Sequence, residues 1–253
     1  MATSGTLGAE QRRAILLASL ERDGTLQLEQ AAAELGVSSM TVRRLLDELE
    51  AEGLLRRVRG GAVSMGGPRP FSERRAVRSR AKHTIAEKAA ALIPRSGAIA
   101  LDASTTAGTI GSTLGQRDGL TVATNSYENF LVLRDRVGIS AVLVGGEWEP
   151  HTDSLVGLIA CQGAASMLYE RFFFSASAVD PTLGTSEVSF SEIQVKKAFA
   201  GVARETVLCL DSTKLGGRSV ALGFGLQDVA VMITELDPSD SRLDDYRDLV
   251  ELR

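Results

Sequence analysis

Residues that form disulfides or bind metal ions are scarce in this chain of 253 residues, which contains 2 Cys, 2 His and 1 Trp. Cys161 and Cys209 are far apart and lack the spacing of a metal or redox motif. The sequence therefore predicts two reduced thiols in a cytosolic setting and no metal site. His83 lies in a basic stretch and His151 beside a proline; both are expected at the surface rather than as general bases.

Long apolar runs are also missing. No stretch approaches the roughly 20 apolar residues that a membrane-spanning helix needs, and the first residues, MATSGTLGAEQRR, lack the apolar core of a secretion signal. We therefore expect a soluble, cytoplasmic protein without a membrane partner. The length is too great for one small domain and leaves about 170 residues for a second domain with its own core.

Two short helices and a hairpin are predicted between residues 27 and 63. Apolar residues recur at helical spacing first at Leu28, Ala31, Ala32 and Leu35, and then at Val42, Leu45, Leu46 and Leu49. Gly36 ends the first helix, and Ser38 is placed to cap the second. After Gly53, which is expected to close the second helix, Gly60 and Gly61 suit the turn of a hairpin.

The exposed face of the second helix suits the major groove of DNA, because it begins with hydroxyl groups and carries two arginines. The predicted DNA contacts are Ser38, Ser39, Thr41, Arg43 and Arg44 in the helix and Arg56, Arg57, Arg59, Gly60 and Gly61 in the hairpin. Surface arginines often only keep a helix pair solvated. Here residues 53–80 contain eight arginines and one glutamate, a local charge of +7 in a chain of net charge −4, which favours DNA.

A linker is predicted from Ser64 to Phe71, SMGGPRPF, where two glycines and two prolines interrupt regular structure. It divides the chain into domains at 1–63 and 72–253. The basic run that follows, SERRAVRSRAKH, could extend a DNA-facing surface, neutralise an acidic neighbour or begin the next helix. We expect the third.

The second domain reads as an α/β fold with a mostly parallel, Rossmann-like sheet. Apolar runs alternate with helical stretches, namely AIALDAS, LTVATNS, SAVLVGG, FFFSASAVD, TVLCLDS and VAVMITE. Ligands collect at the carboxyl ends of such strands. The pocket candidates there are Asp102, Asn125, Gly145, Gly146, Asp180, Asp211 and Lys214.

A phosphate site is indicated by LDASTTAGTIGSTL, where a strand ends at Asp102 and Ser104, Thr105 and Thr106 open a helix. The positive end of a helix attracts phosphate, and hydroxyl groups complete its binding shell. Serine and threonine also cap ordinary helices, so the segment by itself leaves both interpretations open.

The motif SSMTVRRLLDELEAEGLLRRVRGGAV resembles the winged helix-turn-helix of the DeoR family of bacterial sugar-metabolism regulators. The chain departs from that pattern at Leu45, where an acidic residue is usual, and at Arg59, where histidine is common. In the second domain, Asp102, Thr105, Thr106, Asn125, Asp211 and Lys214 match the order of the family's sensor motifs. Ser104 replaces a usual glycine and Thr213 a usual serine.

This resemblance implies a DNA-binding repressor whose sensor domain is similar in fold to ribose-phosphate isomerases. The implied partners are a double-stranded operator, a phosphorylated sugar or related effector, and further copies of the chain. Lys196 matches a basic family position. However, the apolar spacing of Val195, Phe199 and Val202 in the same predicted helix suggests that Lys196 and its neighbour Lys197 are both solvated. The predicted effector site is Asp102, Ser104, Thr105, Thr106, Asn125, Gly145, Gly146, Asp180, Lys196 and Lys214.

An isomerase with a DNA-binding appendage is the alternative, because Asp102, Asp180 or Asp211 could transfer a proton between sugar carbons. Kinship of fold does not establish a reaction. No paired acid and base with diagnostic spacing is evident, and Val179-Asp180-Pro181 lacks the doubled aspartates expected of those isomerases. We therefore predict no catalytic residue and no cofactor.

Trp148 is expected to pack on a strand end, and the acidic tail to form a closing helix with Leu243, Tyr246 and Leu249 inside.

Overall fold

The computed structural model describes residues 8–52, 54–64, 71–150 and 152–253. The predicted helix end at Gly53, His151 and most of the predicted linker, residues 65–70, lie outside the described residues.

The helices of the described part follow the apolar periodicity of the sequence. Their bounds are α1 Ala9–Asp23, α2 Leu28–Leu35, α3 Ser39–Ala51, α4 Phe71–Ala76, α5 Ser79–Ala90, α6 Thr105–Thr113, α7 Tyr127–Arg134, α8 Gly157–Ala164 and α9 Phe190–Ala200. Short 3-10 turns lie at Ser212–Lys214, Leu226–Asp228 and Ser241–Tyr246. In the same part of the chain, no helix combines the length and apolar character needed to cross a membrane.

The strands form one large sheet and three small ones. Their bounds are β1 Thr25–Gln27, β2 Leu55–Val58, β3 Gly61–Ser64, β4 Gly97–Leu101, β5 Leu120–Thr124, β6 Ile139–Leu143, β7 Glu147–Glu149, β8 Ser154–Val156, β9 Tyr169–Phe174, β10 Ala178–Asp180, β11 Gly184–Glu187, β12 Ala203–Cys209, β13 Ala221–Leu222, β14 Val231–Ile233 and β15 Glu251–Leu252.

The amino-terminal domain is a winged helix, as predicted. The apolar faces of α1, α2 and α3 meet in one core, with Val42, Leu46 and Leu49 fully buried. Gly36 ends α2 in the left-handed conformation, with φ of 63°, and Ser38 caps α3. The hairpin pairs β2 with β3 and is extended by β1, which was not predicted, to give the antiparallel order β1-β3-β2.

The second domain is built on a parallel sheet in the order β15-β14-β12-β9-β4-β5-β6. One face is covered by α5, α6 and α7 through Ile85, Ile110 and Leu133. The other is covered by α8 and α9 through Ala160 and Phe199. Because helices cover both faces of the sheet, its strands are continuously apolar. The carboxyl ends of β4, β9 and β12 lie at the edge of the sheet that faces the winged helix.

Three predictions for this domain need correction. The run FFFSASAVD is not one strand, because β9 ends at Phe174 and β10 belongs to a small antiparallel sheet with β11 and β13. The tail forms a 3-10 turn and then the edge strand β15 rather than a closing helix. Leu243 and Tyr246 are buried as predicted, but Leu249 is 45% exposed. Trp148 lies on β7 and is 53% exposed, so it packs less than predicted.

Candidate functional site

The exposed face of α3 carries the side chains that the sequence assigns to DNA. The hydroxyl of Ser38 accepts a hydrogen bond from the Thr41 amide at 3.2 Å. Arg43 and Arg44 are exposed, and Arg44 lies 3.6 Å from Glu48 one turn later. The two arginines thus point to solvent from a helix whose opposite side is buried. Ser39 donates to Glu29 at 2.7 Å, which joins the start of α3 to α2.

Arg57, which the sequence assigns to DNA, lies against the protein. Its guanidinium donates to the carbonyl oxygens of Arg43 at 3.1 Å and Gly61 at 3.2 Å and forms an ion pair with Asp47. Its amide donates to Glu50 at 2.6 Å. Arg57 therefore fixes the hairpin to α3, whereas Arg56 and Arg59 are exposed.

The two glycines of the hairpin have different roles, which corrects the prediction that both serve the turn. Gly60 occupies the turn with φ of 91°. Gly61 is buried in β3, where a Cβ would lie 1.8 Å from the carbonyl oxygen of Leu26. The close approach of β1 therefore requires glycine at position 61. Sequence reasoning also passed over Met40, which is 70% exposed at the start of α3 and suits contact with a thymine methyl group.

A cavity of about 460 Å³ lies between the winged helix and the carboxyl edge of the large sheet. Five of the residues that the sequence proposes for an effector site line it, namely Ser104, Thr105, Thr106, Lys196 and Lys214. The hydroxyl of Ser104 caps α6 by accepting from the Ala107 amide at 3.0 Å. Thr105 and Thr106 then place the positive end of α6 at the cavity wall.

Asp102 lies behind this wall and is fully buried. Its carboxylate accepts hydrogen bonds from the amides of Ser104 at 3.0 Å and Ser175 at 2.9 Å and lies 3.0 Å from the ammonium group of Lys196. Asp102 therefore holds the loop between β4 and α6 in place and does not itself line the cavity.

Lys196 is buried rather than solvated, which corrects the reading of its helix pattern. Its ammonium group also pairs with Glu187 and donates to the carbonyl oxygen of Ser175 at 2.8 Å. Burial lowers the pKa of Lys196, but Glu187 and Asp102 raise it more, so the lysine stays protonated. Lys197, its neighbour, is exposed as predicted.

Glu192 lines the cavity and accepts hydrogen bonds from Ser154 and from Asn125 at 3.4 Å. Burial raises the pKa of Glu192 to about 7, although Lys196 acts in the opposite direction. Asn125, predicted as a ligand contact, is 1% exposed and stands behind Glu192.

Five cationic side chains line the sensor side of the cavity: Arg74, Arg78, Lys82, Lys196 and Lys214. Arg78 lies 3.7 Å from Asp211. Lys82 donates to the carbonyl oxygen of Val77 at 2.6 Å. Burial and the nearby charge of Lys214 lower the pKa of Lys82 to about 8. Three of these cations come from the basic run whose role the sequence left open.

Five predicted effector residues are not among those that line the cavity: Asp102 and Asn125, which stand behind its wall, and Gly145, Gly146 and Asp180. Gly145 and Gly146 lie beyond β6, and a Cβ at Gly146 would stand 2.6 Å from the carbonyl oxygen of Val156. Asp180 pairs with Arg218 at 2.6 Å and accepts from the amides of Thr182 and Leu183. Asp180 therefore shapes the turn between β10 and β11.

The winged helix supplies one wall of the cavity, which the sequence did not indicate. Asp23, Gln27, Gln30 and Glu34 line it from α1, β1 and α2. The side-chain nitrogen of Gln27 donates to the carbonyl oxygens of Thr213 at 3.2 Å and Leu215 at 3.1 Å.

Both domains match families of known proteins. Residues 12–66 match the DeoR-like helix-turn-helix domain, and residues 77–236 match the DeoR C terminal sensor domain. The lactose phosphotransferase system repressor of Lactococcus lactis subsp. lactis is 31% identical over 95% of this chain and 96% of its own. The glycerol-3-phosphate regulon repressor of Haemophilus influenzae is 27% identical over 85% of each chain.

Among solved structures, ribose 5-phosphate isomerase A from Methanocaldococcus jannaschii overlaps with 53% of this chain and 53% of its own, at 19% identity and a TM-score of 0.39.

Proposed function

The chain belongs to the DeoR family of transcriptional regulators, and we propose that it represses carbohydrate-metabolism genes under the control of a phosphorylated sugar or related metabolite. It is a sequence-specific DNA-binding protein, and the proposal concerns which residues read the operator and which bind the effector.

For DNA, we propose that α3 enters the major groove with Arg43 and Arg44 towards the bases. Ser38, Ser39 and Thr41 then lie near the backbone at the start of the helix. Arg56 and Arg59 approach phosphates from the hairpin. Arg57 acts indirectly, since its bonds to Arg43 and Asp47 orient α3 against the hairpin.

For the effector, the observation that carries the proposal is a cavity in which one region is lined by cationic side chains and another by carboxyl groups. Cationic side chains and the positive end of α6 suit a phosphate group. Buried carboxyl groups at Glu187 and Glu192 suit the hydroxyl groups of a sugar, because a carboxyl group accepts hydrogen bonds when ionised and can also donate one when protonated. One ligand that carries both groups would match both parts. Relatives named for lactose phosphotransferase and glycerol-3-phosphate regulons support a phosphorylated carbohydrate.

We propose that Asp102, Asn125 and Asp180 support the site from outside the cavity wall. Asp102 fixes the start of α6 and the Ser175 backbone, Asn125 orients Glu192, and Asp180 shapes the neighbouring hairpin. Gly145 and Gly146 permit the close passage of the chain beside α8.

The same geometry argues against the isomerase. Asp102 is fully buried and is bonded to two amides and Lys196, so it is not available to remove a proton from a substrate. Glu192 is the better candidate base, since it lines the cavity with a raised pKa. Conversion of ribose 5-phosphate to ribulose 5-phosphate, lost in Glu192→Gln, would favour an enzyme.

The test has two stages, both with the full chain. A thermal shift assay compares glycerol 3-phosphate, ribose 5-phosphate, fructose 1-phosphate and galactose 6-phosphate with their dephosphorylated forms. A ligand at a hundred times its dissociation constant adds about 2.7 kcal/mol to stability. Active compounds are then titrated against a duplex selected by the protein from a random pool. Failure of every phosphorylated compound to stabilise the protein would contradict the effector class, and failure to enrich any duplex would contradict the DNA-reading face.

A further inference from the structure

We infer that Gln27 links the effector cavity to the DNA-reading surface, and that an anionic effector competes with the winged helix for the basic wall of that cavity. This inference rests on the proposed function, because it takes the cavity to be the effector site. It adds the route by which occupancy reaches DNA.

On the sensor side, Gln27 bonds to the segment 213–215, whose central residue, Lys214, is a proposed ligand contact. Its amide group donates to the carbonyl oxygens of Thr213 and Leu215, which flank Lys214. The ammonium group of Lys214 reaches in the other direction and donates to the Ser175 hydroxyl at 3.2 Å. A phosphate that binds Lys214 therefore acts on the same short segment whose two carbonyl groups hold Gln27.

Hydrogen bonds hold both ends of the segment 213–215, so any movement of its backbone is concentrated near Lys214. The amide of Gly216 donates to the hydroxyl of Tyr246 at 2.7 Å, and that hydroxyl donates to the Val179 carbonyl oxygen at 3.0 Å. At the other end, Asp211 bonds to the amide and hydroxyl of Thr213.

On the DNA side, Gln27 lies where the wing and the helix pair meet. It pairs with Gly61 in the sheet β1-β3 and is also the residue that precedes α2. The amide of Leu28 donates to the carbonyl oxygen of Gly60 at the hairpin turn, at 2.8 Å. A displacement of Gln27 is thus transmitted to the wing directly and to α3 through α2 and the Glu29–Ser39 bond.

Charge gives the competition its direction. The winged-helix wall contributes Asp23 and Glu34. The sensor wall contributes more cations than carboxyl groups, with Arg74, Arg78, Lys82, Lys196 and Lys214 against Glu187, Glu192 and Asp211. These opposite charges favour the arrangement in which the winged helix lies against the sensor wall while the cavity holds no anion. A bound phosphate offsets the cations and faces the carboxylates of Asp23 and Glu34. It therefore binds more tightly to the arrangement in which the winged helix has moved away from the sensor wall.

The test compares Gln27→Ala and the isosteric Gln27→Glu with wild type, and uses exposed Gln194→Ala as the matched control. The ligand is the panel compound that gives the largest thermal shift, with inorganic phosphate as a probe of the anion site alone. Calorimetry measures ligand affinity, and fluorescence anisotropy measures affinity for the selected duplex with and without ligand.

We expect a tenfold or larger effect of ligand on DNA affinity in wild type and Gln194→Ala, and less than a threefold effect in both Gln27 variants. Gln27→Ala should bind the ligand at least as tightly as wild type. Gln27→Glu is compared at saturating ligand, because its carboxylate lines the cavity and repels a phosphate. A wild-type ligand effect in the Gln27 variants would overturn this inference and leave the proposed function standing. Loss of ligand binding in Gln27→Ala would make Gln27 a ligand contact and also overturn it. If wild type binds none of the probes, the proposed effector site fails, and the inference with it.

Discussion

A charged residue can be buried when its partners are buried with it, and Lys196 illustrates this at the scale of one residue. Its helix pattern, with an exposed lysine next to it, suggests a solvated side chain. In the fold it lies between Asp102 and Glu187. Removal of one partner from such a group leaves an uncompensated buried charge, which is costly. The sequence contains all three residues, but their proximity depends on the packing of α9 against β4 and β11.

Glu192 should make stability depend on pH. Its folded pKa of about 7 exceeds its ordinary value, so the folded state retains a proton that the unfolded state loses. This contribution is fully present below the unfolded pKa and disappears as pH rises through 7. From about pH 5 to about pH 8, wild type should lose on the order of 2 kcal/mol relative to Glu192→Gln. Urea unfolding across this range measures the difference. Exposed Glu87→Gln should follow wild type; parallel curves for all three would contradict a buried, protonated Glu192.

Arg43 should contribute directly to operator affinity. Arg43→Ala is expected to weaken binding to the selected duplex by about 1 to 3 kcal/mol, because an arginine bonded to guanine contributes that much discrimination. Anisotropy titrations measure the loss. Arg95 is an exposed arginine in the second domain, so Arg95→Ala should keep wild-type affinity. Equal affinities for the two variants would remove Arg43 from the interface.

Lys214 should contribute to effector affinity through its charge. Lys214→Ala is expected to weaken binding of a phosphorylated ligand by about tenfold to a hundredfold, the usual size of a charge-assisted hydrogen bond. Calorimetry measures the change, and exposed Lys197→Ala is the matched control. Weakening by both variants alike would indicate a general effect of charge rather than a contact at Lys214.

At the scale of elements, periodicity predicted the helix pair and the apolar strands because one face of each helix and both faces of the sheet are buried. It missed β1, since three residues between two helices contain no recognisable alternation. It also missed the role of residues 74–82. Their basic side chains look alike in sequence, and the path of the chain decides that Arg74, Arg78 and Lys82 line the cavity while Arg75 and Arg80 do not.

The lining of the proposed effector cavity was predictable where one loop contains its residues, as in Ser104, Thr105 and Thr106. Residues at the other strand ends were harder to assign, because strands at the edges of the sheet end away from the cavity. Gly145 and Gly146 follow β6, the last strand in the sheet order, and Asp180 follows a strand of a different sheet. The sequence indicates which residues end strands, whereas the strand order decides which of those ends meet.

The wing should depend on the absence of a side chain at Gly61. Gly61→Ala is expected to lower the free energy of unfolding by about 2 to 4 kcal/mol, because its Cβ would overlap with the backbone of β1. Gly115 has no heavy atom within 4 Å of an added Cβ, so Gly115→Ala should leave stability unchanged. Chemical denaturation compares the two. Similar stabilities would show that β1 does not approach β3 this closely.

At the scale of the whole molecule, we expect copies of the chain to associate, since one winged helix reads few base pairs. The apolar residues Leu158 and Ile159 of α8 are 71% and 63% exposed, and such adjacent apolar side chains favour a protein contact. Leu158→Glu combined with Ile159→Glu should shift the assembly towards smaller species in analytical ultracentrifugation. Val137→Glu, at a position that is 69% exposed, is the control. An unchanged assembly in the double variant would place the contact elsewhere.

The bonds of Arg57 have a consequence for how this molecule can change its target. Because one guanidinium holds the hairpin to both the backbone and a carboxylate of α3, the distance between groove contact and wing contact is set within the protein. Substitutions on the outer face of α3 can then alter the preferred bases while the spacing of the contacted phosphates is preserved. Related regulators that keep these Arg57 bonds are expected to recognise different base sequences while they contact the DNA backbone at the same spacing.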